Sequence, residues 1–192
     1  INILKCLNIE VVEIFPDKKS IDKIDPYLIS REKVDGLIIS NPNNPNGQKY
    51  SKNELHYIYE HCKKNNIILI SDEIYHGIEY GDKTYSMLNF GKQAIVVNSF
   101  SKYFCMTGWR LGWVIIPKPL RENFLKLSQN LFISSGNIAQ YSALKVFDCI
   151  NDLNLIVENY KKTRESILAL SSWKAITFML GKWLKSENKF KR

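Results

Sequence analysis

Short apolar runs alternate along this chain with amphipathic stretches, and the apolar runs end in polar or turn-forming clusters. Glu10 to Phe15 predicts a short strand, followed by a charged connection through Pro26. Gly36-Leu37-Ile38-Ile39-Ser40 predicts a second strand, leading directly into Asn41-Pro42-Asn43-Asn44-Pro45-Asn46-Gly47. Residues 67–71 predict a third, with Asp72 at its carboxyl end, and Ala94 to Asn98 a fourth, which delivers Ser99-Phe100-Ser101-Lys102 at its exit. Leu111 to Ile116 is the last strand-like run. Between these runs the spacing becomes helical. Ser51 and Glu54 form a capping-box pattern, after which Leu55, Ile58, Tyr59 and Cys62 recur at helical spacing. Pro119 opens a helix with Leu120, Phe124, Leu127 and Leu131 on one face, and Asn137 to Ile150 and Leu153 to Leu170 predict two more. Strands alternating with helices argue for an α/β fold with a mainly parallel sheet. No internal repeat or low-complexity linker breaks the pattern.

Composition narrows the function classes. With 192 residues, 45% hydrophobic content and four Trp, the chain can bury one sizeable core. No run approaches the ~18 apolar residues of a membrane span, and no secretory leader is visible. The net charge of +8 invites a nucleic-acid reading. Its distribution argues otherwise: only five of the 27 basic residues are Arg, and the lysines are spread along the chain. Lys, Ile and Asn together make 64 of the 192 residues, which is a compositional bias and not a binding surface. Cys6, Cys62, Cys105 and Cys149 form no Cys-x-x-Cys pair and read as reduced, mostly buried thiols in a cytoplasmic chain. His56, His61 and His76 have no metal-ligand partner at a useful spacing, so they receive no role and no metal site is expected.

The candidate chemistry lies at the strand exits. Lys102 is an amine at the end of an apolar strand, with Ser99 and Ser101 before it and Arg110 after it in Gly108-Trp109-Arg110-Leu111-Gly112. Such an amine can form a Schiff base with a carbonyl, while hydroxyls and a guanidinium can hold a phosphate. This combination suits pyridoxal 5'-phosphate (PLP), an aldehyde that carries a phosphate arm. Asp72 follows a buried-strand pattern, at the edge where ligands of open α/β sheets collect. A carboxylate there can pair with a protonated pyridine nitrogen. An asparagine in the proline-fixed loop 41–47 can donate to a ring hydroxyl. Taken singly, Asp72 reads equally as a cap or turn former, Tyr75 as core, Arg110 as an ion-pair residue and the Asn-Pro pairs as ordinary turns. Their joint order is what lifts them.

Four ordered motifs, Asn41 to Gly47, Asp72 with Tyr75, Ser99 to Lys102 and Gly108 to Gly112, together resemble the class I/II aminotransferases of the fold-type I PLP enzymes. Asn46 stands where the family usually has Thr, and Cys105 where it more often has a small residue. The resemblance implies a three-layer sandwich with a mainly parallel sheet, the PLP-dependent transferase large domain, in incomplete form, with the strand after Lys102 antiparallel. It implies that Lys102 bonds to the cofactor and then shuttles a proton, and that Asp72 binds the ring nitrogen. Asn44 and Tyr75 would bind the ring hydroxyl, and Ser99, Ser101 and Arg110 the phosphate. The implied reaction is transamination between an amino acid and a 2-oxo acid, in a homodimer when intact, with no nucleic-acid or membrane partner.

The family's complete enzymes are about twice this length, and the chain begins with Ile1, so a fragment is expected. Residues 1–150 would be part of the PLP-binding large domain, 151–170 a helix leading toward the small domain, and 171–192 a divergent or truncated tail. Missing from the pattern are an upstream phosphate-binding turn, the ring that stacks on the cofactor, and the downstream arginine for the substrate carboxylate. Two alternatives stand beside transamination: a PLP-dependent β-lyase of the same fold, and an inactive remnant. Gly108-Trp109-Arg110-Leu111-Gly112-Trp113 leans toward transaminases.

Overall fold

The computed structural model describes residues 2–14, 28–29 and 33–170. It falls into two compact units, Ile1–Leu144 and Lys145–Arg192. The tail 171–192 and the connection through Pro26 lie outside the described residues.

In the first unit, β1 (Gly36–Ser40), β2 (Ile68–Asp72), β3 (Ile95–Ser99) and β4 (Gly112–Ile115) form one sheet in the order β1-β2-β3-β4. The first two pairings are parallel and the β3–β4 pairing is antiparallel. The α/β sheet is thus mainly parallel, with one reversed strand, as the resemblance implies. At that reversal the backbones approach closely: a Cβ on Gly112 would lie 2.8 Å from the Asn98 carbonyl oxygen.

A short helix, α1 (Asn2–Cys6), opens the described chain, and α2 (Lys52–Lys64) crosses over between β1 and β2. Ser51 starts α2 with a reciprocal cap, its hydroxyl accepting from the Glu54 N–H while the Glu54 carboxylate accepts from the Ser51 N–H at 2.7 Å. A cap of this kind contributes about 1 kcal/mol. The predicted stripe Leu55, Ile58, Tyr59 and Cys62 is buried and shares one core with Leu37, Ile39, Leu69 and Val96 of the sheet. Strand alternation explains that choice, since residues paired in register point to the same face. On the opposite face Ile38, Ile68, Val97 and Val114 stay exposed. Of the three expected layers, the sheet and the α2 layer are therefore clear, while on the second sheet face Ile95 is buried and the four residues above are exposed.

Two expectations are corrected, the strand at residues 10–15 and the burial of the cysteines. Residues 10–14 form no strand, and Phe15 lies outside the described residues. Ile14 packs against the core while Val12 remains exposed, so the run is anchored by one side chain and not by a ladder. The helix expected from Pro119 forms, as a 3-10 turn, Lys118–Leu120, followed by α3 (Arg121–Leu131), with Leu127 and Leu131 of its apolar face exposed. The cysteines are mostly exposed: Cys62 alone is buried, because it alone falls on the α2 stripe.

Beyond α3, α4 (Asn137–Val146) ends four residues earlier than predicted, a 3-10 turn covers Phe147–Cys149, and α5 (Ile150–Leu170) starts three residues earlier. Among the described residues no helix is long and apolar enough to cross a membrane.

Burial pushes the Cys62 thiol up to about 11 from 9.0. A folded-state value above the unfolded one favours the unfolded chain at high pH. The Cys62 contribution to stability is therefore full below about pH 9 and lost as pH rises toward about 11. In alkylation with iodoacetamide at about pH 8, Cys6, Cys105 and Cys149 should be modified well before Cys62. Early labelling of Cys62 would show that α2 does not cover the sheet.

Candidate functional site

Parallel strands release their following loops at a common edge. β1 runs into the loop carrying Asn44, β2 ends at Asp72 with Tyr75 three residues on, and β3 ends at Ser99 with Lys102 three residues on. Register aligns Ser40, Asp72 and Val97 across this edge.

Each loop is shaped by its own sequence. The half-buried Asp72 accepts from the Ile74 N–H at 3.1 Å, an Asx-type turn that brings the chain round to Tyr75. In the 41–47 loop the Asn43 amide donates to the Asn46 side-chain oxygen at 3.0 Å, and the Gly47 N–H donates to the Asn43 carbonyl at 2.8 Å. Asn44 extends from this closed loop and donates to the Tyr75 hydroxyl at 3.1 Å. After β3, the Ser99 hydroxyl donates to the Leu111 carbonyl at 3.2 Å and accepts from the Ser101 N–H at 3.0 Å. The Met106 N–H donates to the Phe100 carbonyl at 2.9 Å, and the Cys105 N–H to the Lys102 carbonyl at 3.0 Å, so the lysine segment folds back on itself. Phe100 packs on Phe104 and Trp113 with ring centroids 5.0 Å away in each case. Cys105 and Arg110 take left-handed backbone, with φ of 55° and 53°.

These loops meet. The Lys102 ammonium lies 5.5 Å from the Tyr75 ring centroid, within cation–π reach. Asn44, Tyr75 and Lys102 thus form one cluster drawn from three loops. A second contact locks two of those loops together. Gly77 has φ +89°, and a Cβ there would sit 2.7 Å from the Tyr103 ring. The backbone two residues after Tyr75 therefore passes directly beneath the residue that follows Lys102.

The remaining candidates are less tightly gathered. Asp72 lies at the same edge, and Ser99 and Ser101 bracket the bend leading to Lys102. Arg110 is exposed, and its guanidinium donates to the Thr107 carbonyl at 3.1 Å. Asn41, Glu73 and His76, which the sequence reading left without a site role, are linked by contacts directly behind this cluster. The signal for Glu73 was its position next to Asp72, where alternation turns the following side chain inward.

Comparison with known proteins gives one consistent answer. The family model described as aminotransferase class I and II matches residues 9–172. The chain is 39% identical over 142 residues to the (5-formylfuran-3-yl)methyl phosphate transaminase of Methanocaldococcus jannaschii, a match covering 71% of this chain and 37% of that protein. It is 38% identical over 156 residues to the valine–pyruvate aminotransferase of Mycobacterium tuberculosis, covering 76% and 39%. An aminotransferase crystal structure from Mycobacterium tuberculosis superposes with a TM-score of 0.81 at 33% identity, covering 85% of this chain and 46% of that one. The chain spans less than half the length of these relatives.

Replacing Gly77 with Ala should test the loop-to-loop contact. The left-handed backbone costs an Ala roughly 1–2 kcal/mol, and the overlap with the Tyr103 ring adds to it. Chemical denaturation should show a loss of about 2 kcal/mol or more. An unchanged midpoint would mean that the two loops do not touch.

Proposed function

Because the chain belongs to the aminotransferase class I and II family, we propose that it carries the lysine-bearing part of a PLP site serving transamination between an amino acid and a 2-oxo acid. The meeting of Lys102, Tyr75 and Asn44 carries this reading: an amine, a phenol and an amide from three loops share one small region. The donor set fits the cofactor. The Asn44 amide, already 3.1 Å from the Tyr75 oxygen, keeps a second hydrogen, and both groups could donate to one ring-hydroxyl oxygen. Asp72 has Oδ1 occupied by the Ile74 N–H, so its carboxylate is oriented and can accept from a protonated ring nitrogen. Ser99, Ser101 and Arg110 would hold the phosphate; the Ser99 hydroxyl would exchange its Leu111 carbonyl for a phosphate oxygen, and Arg110 would turn from Thr107.

When bound, PLP supplies the electron sink that lets the Cα–H bond of an amino acid release a proton. Lys102 would tether the cofactor and, once released, would carry that proton on Nζ, a positioned base contributing roughly 10²–10⁴-fold. Over the two halves of the reaction one acid gives up its amino group and leaves as a 2-oxo acid, and a second 2-oxo acid takes the group away. Relatives named for valine with pyruvate and for aspartate support this substrate class. Four free cysteines support a reducing, cytoplasmic compartment. The exposed Ile138, Tyr141 and Leu144, at three-residue steps on α4, support a second subunit as partner.

A PLP titration followed by borohydride reduction and peptide mapping tests this. The expected result is a visible absorption band and a pyridoxyl label on Lys102, both absent in Lys102→Ala. Added amino acid should then yield a 2-oxo acid. Ammonia release from a β-substituted amino acid would point to the lyase chemistry instead. Label scattered over surface lysines, with no band, would overturn the reading.

A further inference from the structure

Behind the Asn44–Tyr75 contact lies a chain of polar groups that transamination chemistry does not itself use. Glu73 is 2% exposed, and a buried carboxylate is costly unless its oxygens find partners. Its Oε1 accepts from the Ser71 hydroxyl at 3.0 Å and from the Met87 N–H at 2.8 Å. Its Oε2 faces His76 Nδ1 at 3.6 Å. The other end of that ring, Nε2, lies 3.0 Å from the Asn41 carbonyl oxygen. A carbonyl only accepts, so Nε2 carries the hydrogen and the ring is anchored to Asn41 at that end, with the Glu73 carboxylate flanking the other nitrogen.

Asn41 is 1% exposed and begins the loop that carries Asn44. Its N–H donates to the Asp72 carbonyl at 2.9 Å, its side-chain oxygen accepts from the Tyr50 N–H at 3.0 Å, and its amide donates to the Tyr85 carbonyl at 3.3 Å. Two consecutive residues therefore grip the same loop at points three residues apart: His76 at the Asn41 carbonyl and Tyr75 at the Asn44 amide.

We propose that Glu73 and His76 are positioning residues for the ring-hydroxyl end of the cofactor site, acting through Asn41 to set where Asn44 stands against Tyr75. This rests on the reading of Asn44 and Tyr75 as cofactor ligands. Glu73 flanks the imidazole at 3.6 Å, the imidazole fixes the loop at its first residue, and the closed turn 43–47 transmits that placement to Asn44. Neither side chain touches the cofactor. A network that merely filled the core would stabilise the chain without any preference for the Asn44 loop.

Amide hydrogen exchange of the full chain without added cofactor reads the loop directly. In His76→Phe, exchange at Asn41, Gly47 and Tyr50 should quicken about ten-fold, while Leu55 and Ile58 in α2 keep their protection. His76→Gln, which retains a donor near the Nε2 position, should stay close to the parent. Unchanged loop exchange in His76→Phe overturns the proposal, and so does an increase spread equally over α2. These readouts need no cofactor, so a failed PLP titration would count against the function and not against them. In the titration, His76→Phe should weaken PLP binding about ten-fold beside Asn44 but less than about two-fold in the Asn44→Ala background. Equal losses in both backgrounds would show that His76 does not act through Asn44.

Discussion

β1, β2 and β3 run parallel, so all three release their chains at one edge of the sheet, and everything else in the proposed site depends on that. Residues distant in sequence become neighbours there without any contact between their own side chains having to bring them together. The reversal of β4 matters equally. An antiparallel return after β3 makes residues 100–111 a loop that leaves and re-enters the same edge, so Lys102 and Arg110 both belong to it. Gly112 permits that return, since a side chain there would press on the Asn98 carbonyl.

The sizes of the interactions set a hierarchy. Each fully buried Leu or Ile in the α2–sheet core contributes roughly 1.5–3 kcal/mol. The contacts among Asn44, Tyr75 and Lys102 are partly exposed and are each worth about 1 kcal/mol or less. Packing therefore decides where the loops emerge, and the site contacts only trim their final positions. The buried Asn41 and Glu73 stand between these levels. Leaving either unpaired would cost more than any exposed site contact provides, which is why their partners are so completely specified. The exposed Ile38, Ile68, Val97 and Val114 belong to a chain spanning less than half the length of its relatives.

Strand and helix identities were legible where the pattern was local. β1 matches its predicted span, and the Ser51–Glu54 cap with its apolar stripe appears as read, because both depend only on residues within two turns of each other. The 10–14 run forms no strand and the α3 apolar face stays exposed for the opposite reason. An apolar run becomes a strand only beside an edge that accepts its hydrogen bonds, and an apolar helix face is buried only when another surface arrives to cover it. Neither condition is written in the run itself. The cysteines show the same limit, since burial followed the α2 stripe and not the residue type.

The sequence by itself determined the motif order, the family to which the chain belongs, and the residue types available for an amine, a carboxylate, a phenol and a phosphate clamp. It did so because each motif is a short run whose chemistry survives without knowledge of its neighbours. Only the tertiary structure decided that Lys102, Tyr75 and Asn44 meet while the Arg110 guanidinium turns back to the Thr107 carbonyl, and that Gly77 passes beneath Tyr103. It also gave His76 a partner on a distant loop, where sequence spacing offered none. Those outcomes depend on strand register and on the paths of loops joined only through the sheet, and such long-range geometry leaves no periodic trace along the chain.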